Sequence, residues 1–306
     1  MHAVKLRFVG HYLRTMLNDD MKSFIAHSLK EDLGSGDVTS ESSVPEDLVE
    51  KGYILAKESG VIAGIKVAKE VFYQIDSNLT FKTFVKDGTW VKSGDVVIEL
   101  HGSARSILAG ERLALNFMQR MSGIATRTAE IVQILDGTNT QVLDTRKTTP
   151  GLRGFEKWAV SIGGGVNHRM GLYDMILLKD NHVDYAGGMT QALKKVAEYQ
   201  KNRDDALPVL PLVIETRSFQ EIEDAIAASQ KAEILIERIL LDNFGPEKVA
   251  EAVETYGHLV TLEASGGITL ENVNGYGETG VDFVSMGYMT HSVKSLDLSL
   301  KSTPNV

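Results

Sequence analysis

The sequence predicts an α/β protein whose larger part is a parallel α/β barrel, and two observations carry that reading. Short apolar runs recur from Val142 onward, and each ends in Lys, Glu, Asp or Ser: Val142-Leu143 before DTRK, then MILLKDNH, LVIET, ILLDNF, TLEASGG and VDFVSMG. Helix signals separate these runs, so the strands must lie parallel with right-handed crossovers. Polar residues at the carboxyl ends of repeated parallel strands mark a barrel with its active site on that face. Six clear strands, starting near Val142, Met175, Leu212, Ile239, Val260 and Val281, plus one or two less clear ones suit a barrel, complete or incomplete. A doubly wound sheet is the runner-up. The short repeat from Val260 to Val281 favours the barrel.

Taken in order, the first eighteen residues contain no Asp or Glu but carry Lys5, Arg7, His11 and Arg14, with Val9, Leu13, Met16 and Leu17 on one helical face. The reading is an amphipathic arm, with a targeting peptide as the alternative. From about residue 20 to 110 the chain mixes a helix with short, turn-rich strands. Gly60 to Ile75 has helical spacing, with Ile65, Ala68, Val71 and Phe72 on one face. Asp87-Gly88 and Ser93-Gly94 then punctuate strands such as Trp90-Val91 and Val96-Val97-Ile98. A carrier-domain hairpin is the weaker reading there, because Lys92 does not sit at a carrier tip. A long helix, roughly Glu111 to Leu135, follows, with Gly123 expected to interrupt it. Between the later strands, Ser218-Phe219-Gln220-Glu221 reads as a capping box, and Gly245-Pro246 places Pro at a first helical position.

Composition narrows the function classes. The 306 residues are 43% hydrophobic and 24% charged, ordinary for a folded soluble protein, and allow about two domains. No apolar run approaches the ~18 residues needed to span a membrane. The absence of cysteine excludes disulfides, thiolate metal sites and cysteine nucleophiles, and suits a reducing, cytoplasmic setting. A net charge of −9 argues against nucleic acid as partner, so any anion site must be a local cationic pocket.

Such a pocket is legible. Arg146, Lys147, Arg153, Lys157, His168, Arg169 and Lys179 fall in one segment whose only acids between Arg146 and Lys179 are Glu156 and Asp174. They sit among the loop signals Thr148-Thr149-Pro150-Gly151 and Gly163-Gly164-Gly165, so they are expected to converge rather than coat a helix. Arg146, Lys147, His168, Arg169 and Lys179 are the stronger candidates, able to hold a dicarboxylate; Arg153 and Lys157 are the weaker ones. Glu215 and Asp242 end apolar strands, where carboxylates can hold Mg²⁺ with substrate phosphates, bind ribose hydroxyls, or pair with Lys147 or Lys179. Glu263 and Asp144 end strands too, as site or scaffold. Asp180, beside Lys179 on a presumed strand, is expected to face away and support. At the last two strand ends, Gly266, Gly267 and Gly287 allow backbone N–H groups to approach a phosphate at the next helix start, with Ser265 and Ser285 adding hydroxyls.

LDTRKTTPGLR, GGGVNHRMGLYDMILLKDNH, LLDNF, LEASGGI and VDFVSMG, together with LKEDLGSGDVTSE and ERLALNFMQRMSGIAT, resemble the quinolinate phosphoribosyltransferase family, or nicotinate-nucleotide pyrophosphorylase (carboxylating). The resemblance runs from about Phe24 to His291. It implies an N-terminal α/β sandwich over residues 1–120, an incomplete parallel α/β barrel over 121–287, and a segment 288–306 packing back on the sandwich. It also implies a homodimer or larger homo-oligomer with shared active sites. The implied reaction joins quinolinate and phosphoribosyl pyrophosphate to give nicotinate mononucleotide, pyrophosphate and CO₂, with Mg²⁺, in de novo NAD synthesis. The family's quinolinate contacts fall on Arg146, Lys147, His168, Arg169 and Lys179, with Arg112 reaching into the neighbouring subunit. Its acids near ribose and metal fall on Glu215 and Asp242, and its 5′-phosphate loops on Ser265, Gly266, Gly267 and Gly287. Catalytic roles fall on Lys147, Glu215 and Asp242. One departure is KAEILIERILLDNF, where the family usually has a Gly-Ala-Asp turn; Glu237 and Arg238 break the apolar run and leave its start open. A paralogue with an altered base pocket, or a catalytically silent barrel, are the rivals. The intact TRK, HR and LKDNH motifs oppose the first, and charged residues at so many strand ends oppose the second.

Overall fold

The computed structural model describes residues 17–204 and 206–302. The expected arm before Leu17 lies outside them. The chain divides into two compact bodies: Ile131–Arg146 with Val166–Gly287, and the described residues up to Glu130 with Lys147–Gly165 and those from Tyr288 on.

The first described elements are α1 (Asp19–Leu33), α2 (Val38–Ser43), β1 (Val49–Ala56), β2 (Gly60–Val61), α3 (Ile65–Ile75), β3 (Thr80–Thr83), β4 (Trp90–Val91), β5 (Val96–Ser103) and the long α4 (Ala104–Ile134). Then come β6 (Gln141–Leu143), α5 (Arg153–Ile162), β7 (Ile176–Leu178), α6 (Asp180–Ala186), α7 (Met189–Lys201), β8 (Leu212–Thr216) and α8 (Phe219–Ala232). The chain continues through β9 (Arg238–Asp242), α9 (Pro246–Tyr256), β10 (Thr261–Ser265), α10 (Val273–Gly277), β11 (Phe283–Ser285), α11 (Tyr288–His291) and β12 (Leu298–Lys301).

The first of the bodies to appear along the chain is built on a four-stranded antiparallel sheet, order β12-β1-β5-β3. Helix α3 buries Ile65, Val67, Ala68, Val71 and Phe72, the face its spacing foretold, but Gly60-Val61 form a strand rather than its first turn. Gly64, at φ 93°, turns the chain into α3, and Asp87 from the Asp-Gly turn accepts the Ile65 N–H at 3.0 Å, capping the helix from a distance. Burial raises the Asp87 carboxyl above its ordinary range, against the pull of that bond.

Gly123 does not interrupt the long helix. α4 runs unbroken through it, and a Cβ there would stand 2.2 Å from the Lys294 carbonyl oxygen. The glycine permits backbone to pass against the helix. Gly123→Ala is therefore expected to destabilise the protein by about 2 kcal/mol or more, the range of overpacked sites, read as a lowered denaturant midpoint with unchanged m value.

The other body holds a six-stranded sheet, order β6-β11-β10-β9-β8-β7, with every recorded pairing parallel. Successive strands are neighbours and the first lies beside the last, the order of a barrel; a doubly wound sheet reverses direction at a switch point. Val166 adds a parallel bridge to Leu143 beyond β6, and among the described residues no pairing joins β6 to β7, so the barrel is incomplete. Register assigns the faces, because paired residues on parallel strands point the same way and neighbours along a strand alternate. Val142, Ile214, Ile239, Leu241, Leu262, Ala264 and Val284 share one face, all buried. On the other face Asp242, Ser265 and Ser285 lie beyond the apolar cluster Met175, Leu177, Val213 and Leu240, Glu215 and Glu263 lie level with Leu240, and Arg238 lies level with Val213. The barrel is thus apolar toward its helices and increasingly polar inside toward its carboxyl ends.

Helix starts behave largely as read. Ser218 Oγ accepts the Glu221 N–H at 3.2 Å, but the Glu221 carboxylate reaches the Arg217 N–H at 2.7 Å, so the second arm of the box closes one residue early. Pro246 occupies the first turn of α9.

Candidate active site

All the strands of the barrel body run the same way, so their carboxyl ends gather on one side. Arg146 follows β6, Lys179 follows β7, Glu215 lies near the end of β8, Asp242 ends β9 and Ser265 ends β10, with Gly287 two residues past β11.

Asp144 anchors the first loop. Its carboxylate accepts the His168 N–H at 2.8 Å and Asn167 Nδ2 at 2.6 Å, and its own N–H donates to Val166 O at 3.1 Å. Fully buried, Asp144 is scaffold for the Asn-His-Arg turn. His168 Nδ1 accepts the Arg169 N–H at 2.7 Å, which leaves Nε2, 3.6 Å from Glu263 Oε2, to carry the ring proton. Glu263 is scaffold as well: wholly buried, it lies 2.8 Å from Arg238 Nε, off the line of that N–H. Arg238, the doubtful residue of the long connector, begins β9, points inward and stacks over Phe283 at 4.9 Å.

Arg169 is 8% exposed and donates to Met175 O at 3.2 Å. Burial first, then repulsion from Arg146, holds its guanidinium below its ordinary range, opposed by Asp174. That repulsion means the two arginines share a neighbourhood. A cavity of about 560 Å³ opens beside Arg169, lined also by Tyr173, His182, Lys195, Tyr199 and Arg203, with no carboxylate in its wall.

Lys179 Nζ lies 2.7 Å from Glu215 Oε2, with the lysine about half exposed. Exposed ion pairs contribute only about 0–1 kcal/mol, so an arriving dianion can compete for the lysine. Asp180 departs from expectation: it is the first residue of α6, so strand alternation does not govern it, and it faces Arg217 at 3.6 Å. His182 Nδ1 accepts the Lys179 N–H at 3.0 Å.

At the end of β9, Asn243 adopts φ 58° and donates from Nδ2 to Asp242 Oδ2 at 2.9 Å. Its Oδ1 occupies the space a Gly266 Cβ would need, and Gly266 has φ 97°. Gly267, at φ 62°, faces open space. The glycines do not lie at a helix start as expected. The loop continues to Asn272, which accepts the Thr269 N–H and donates to Gly267 O, before the short α10 begins. Gly287 does directly precede α11. Ser285 Oγ is buried with no hydrogen-bond partner among the described residues.

The barrel body therefore brings together Arg146, His168, Arg169, Lys179, Glu215, Asp242, Ser265, Gly266, Gly267 and Gly287. Lys147 and Arg112 belong to the other body, both exposed, as do Arg153 and the fully buried Lys157. Asn167 and Arg238 were not singled out as site supports from sequence; Asp144 was read as a strand-end acid, site or scaffold, and its bonds to Asn167 and His168 make it scaffold.

Among the described residues no group of three or more His, Asp or Glu side chains is placed to hold a metal. Glu215 and Asp242, on adjacent strands and the same face, instead fit a Mg²⁺ that takes one or two carboxylates and completes its shell with substrate phosphate and water.

A model of the quinolinate phosphoribosyl transferase N-terminal domain matches residues 37–122, and one of the C-terminal domain matches 124–301. The chloroplastic nicotinate-nucleotide pyrophosphorylase [carboxylating] of Arabidopsis thaliana is 43% identical over 292 residues, 92% of this chain and 82% of that relative. A probable nicotinate-nucleotide pyrophosphorylase [carboxylating] of Bacillus subtilis is 43% identical over 283 residues, covering 92% and 93%. Among solved structures, the nicotinate-nucleotide pyrophosphorylase of Francisella tularensis aligns with a TM-score of 0.86 at 36% identity, covering 94% of this chain and 98% of that one. NadC of Streptococcus pyogenes gives 0.86 at 39% identity with the same coverage.

Proposed function

From the premise that this chain belongs to the quinolinate phosphoribosyltransferase family, we infer how its own residues divide the work. The reaction is transfer of phosphoribosyl from phosphoribosyl pyrophosphate to quinolinate with loss of CO₂, making nicotinate mononucleotide for NAD biosynthesis. The observation that carries the division of roles is the mixed edge of one parallel sheet. Cations stand on the loops after β6 and β7, acids at the ends of β8 and β9, and glycines after β10 and β11.

Quinolinate carries two adjacent carboxylates and needs several fixed cations. Arg146, Lys147, His168, Arg169 and Lys179 supply them, with Arg169 as the planar, bidentate anchor. Ser265, Gly266, Gly267 and Gly287 receive the 5′-phosphate, where Gly267 leaves backbone open to approach. As the C1–pyrophosphate bond breaks, positive charge grows on the ribose, and Glu215 and Asp242 offset it. Glu215 and Asp242 would hold a magnesium ion, which would supply neutralising charge for the leaving group. Decarboxylation leaves an electron pair on the pyridine carbon, stabilised by the new cationic ring nitrogen and by the surrounding lysine and arginines. Water supplies the proton that takes up this electron pair and replaces CO₂ on the ring, so the side chains act through positioning and electrostatics.

We further propose a homo-oligomer in which Arg112 completes the neighbouring subunit's pocket, and a cytoplasmic setting, in keeping with the absence of cysteine. Among the described residues no helix is long and apolar enough to cross a membrane. The test is direct. Purified protein given quinolinate, phosphoribosyl pyrophosphate and Mg²⁺ is expected to release CO₂ and nicotinate mononucleotide in equal amounts, and a chelator is expected to stop both. Turnover that persists in excess chelator refutes the metal assignment. Failure to make nicotinate mononucleotide at all refutes the roles given to the pocket.

A further inference from the structure

Three consecutive residues of the loop after Arg146 are held by separate elements. Thr290 Oγ1, on α11, donates to the Lys147 carbonyl oxygen at 2.7 Å. Arg153 Nε, at the start of α5, donates to Thr148 Oγ1 at 3.0 Å. Thr149 is held twice: its N–H donates to Glu156 Oε2 at 3.1 Å, and its hydroxyl accepts from Arg120 Nη2 at 2.7 Å. Arg120, on α4, closes the set. Its Nε and Nη2 both donate to Glu156 Oε1, at 2.8 and 2.6 Å, and Nη2 also reaches the Thr290 carbonyl at 3.1 Å.

These bonds share a target. An ion pair whose only task was to tie α4 to α5 would need Arg120 and Glu156 alone. Here the pair also takes both the hydroxyl and the amide of Thr149, and Arg120 grips the carbonyl of the residue that grips Lys147. Glu156 is 1% exposed, so its charge is answered by the guanidinium and by backbone rather than by water. The Lys147 side chain, by contrast, is exposed. The network fixes where the Lys147 backbone stands, from which the exposed side chain extends. Groups that fix a cation's root act on catalysis because displacement by about 1 Å can cost on the order of a hundredfold in rate.

We propose that Arg120, Glu156 and Thr290 are positioning residues for Lys147, setting its ammonium for the quinolinate carboxylates through the backbone of residues 147–149. The proposal rests on the reading of Lys147 as a quinolinate contact. None of the three touches substrate; each acts through the loop.

The decisive variants are mild ones, because Arg120→Met strands a buried carboxylate and can fail to fold. Thr290→Val keeps the shape and removes the hydroxyl that donates to Lys147 O. Steady-state kinetics of the full chain are measured for Thr290→Val and Thr290→Ser, each alone and with Lys147→Ala. Thr290→Val is expected to lower kcat/KM for quinolinate about tenfold with KM for phosphoribosyl pyrophosphate within about twofold. Thr290→Ser, which keeps the hydroxyl, should restore it. In the Lys147→Ala background, Thr290→Val should add less than about twofold, since a group acting only through Lys147 has nothing left to position. A silent Thr290→Val beside a crippled Lys147→Ala overturns this proposal alone. An undiminished tenfold effect in the Lys147→Ala background also overturns it, by showing that Thr290 acts by another route. Near-normal activity of Lys147→Ala overturns the pocket reading on which it rests.

Discussion

Arg169→Ala is expected to lose at least about a hundredfold in quinolinate turnover, roughly 3 kcal/mol of transition-state stabilisation, with the fold intact. The size follows from where Arg169 stands. Its side chain is almost wholly withdrawn from water, and burial together with Arg146 works against its charge. A guanidinium held there at such cost is poised for a dianion that relieves both penalties at once. Removing it leaves the substrate carboxylate desolvated without its planar partner. A lysine at this position keeps the charge but loses the two-pronged geometry, so Arg169→Lys should recover only part of the loss. The measurement is kcat/KM for quinolinate with a far-ultraviolet and thermal check of folding. Activity within about threefold of the parent in Arg169→Ala would remove the anchor from the pocket.

The second large effect concerns ownership of the site. Arg112 is exposed on α4, and Lys179 stands at the end of β7. If Arg112 completes a neighbour's pocket, Arg112→Ala and Lys179→Ala subunits should each be inactive alone and active when mixed. In a twofold dimer with random exchange, half the molecules are mixed and each keeps one intact site, so about a quarter of the parent activity should return. Mixed oligomers verified by differential tagging that stay inactive would show that each subunit builds its pocket from its own chain.

How much of this was legible from sequence depended on whether a residue's neighbours were local. The strand ends were readable because each parallel strand buries its helix-facing residues, leaving Lys179, Glu215, Asp242 and Ser265 as abrupt polar stops. Pro246 and Ser218 were readable because a helix start is decided within four residues. Gly123 was misread for the opposite reason: its lack of a side chain answers to backbone at Lys294, 171 positions away (294 − 123), and no local pattern announces such an approach. Arg238 looked like a break in a strand because a buried charge is legible only with its partner, and Glu263 lies on the next strand over. Arg120 and Glu156 were passed over because one sits in an apolar helix and the other among cations; their shared object, Thr149, is visible only once the loop is folded. Asp180 was placed on a strand that ends at Leu178, a two-residue boundary error that changed which geometry applied.

The bodies are interleaved in the chain, which passes from one to the other after Glu130, again after Arg146, and back and forth once more at Gly165 and Gly287. Neither can be released by a single proteolytic nick or expressed as one uninterrupted fragment. A truncation library should yield no autonomous piece, and ribosomal synthesis must reach Ser285 before the parallel sheet has its last strand. Recombination with a relative would have to respect every one of these crossings, so gene shuffling at a midpoint should return insoluble chimeras where point substitution is tolerated.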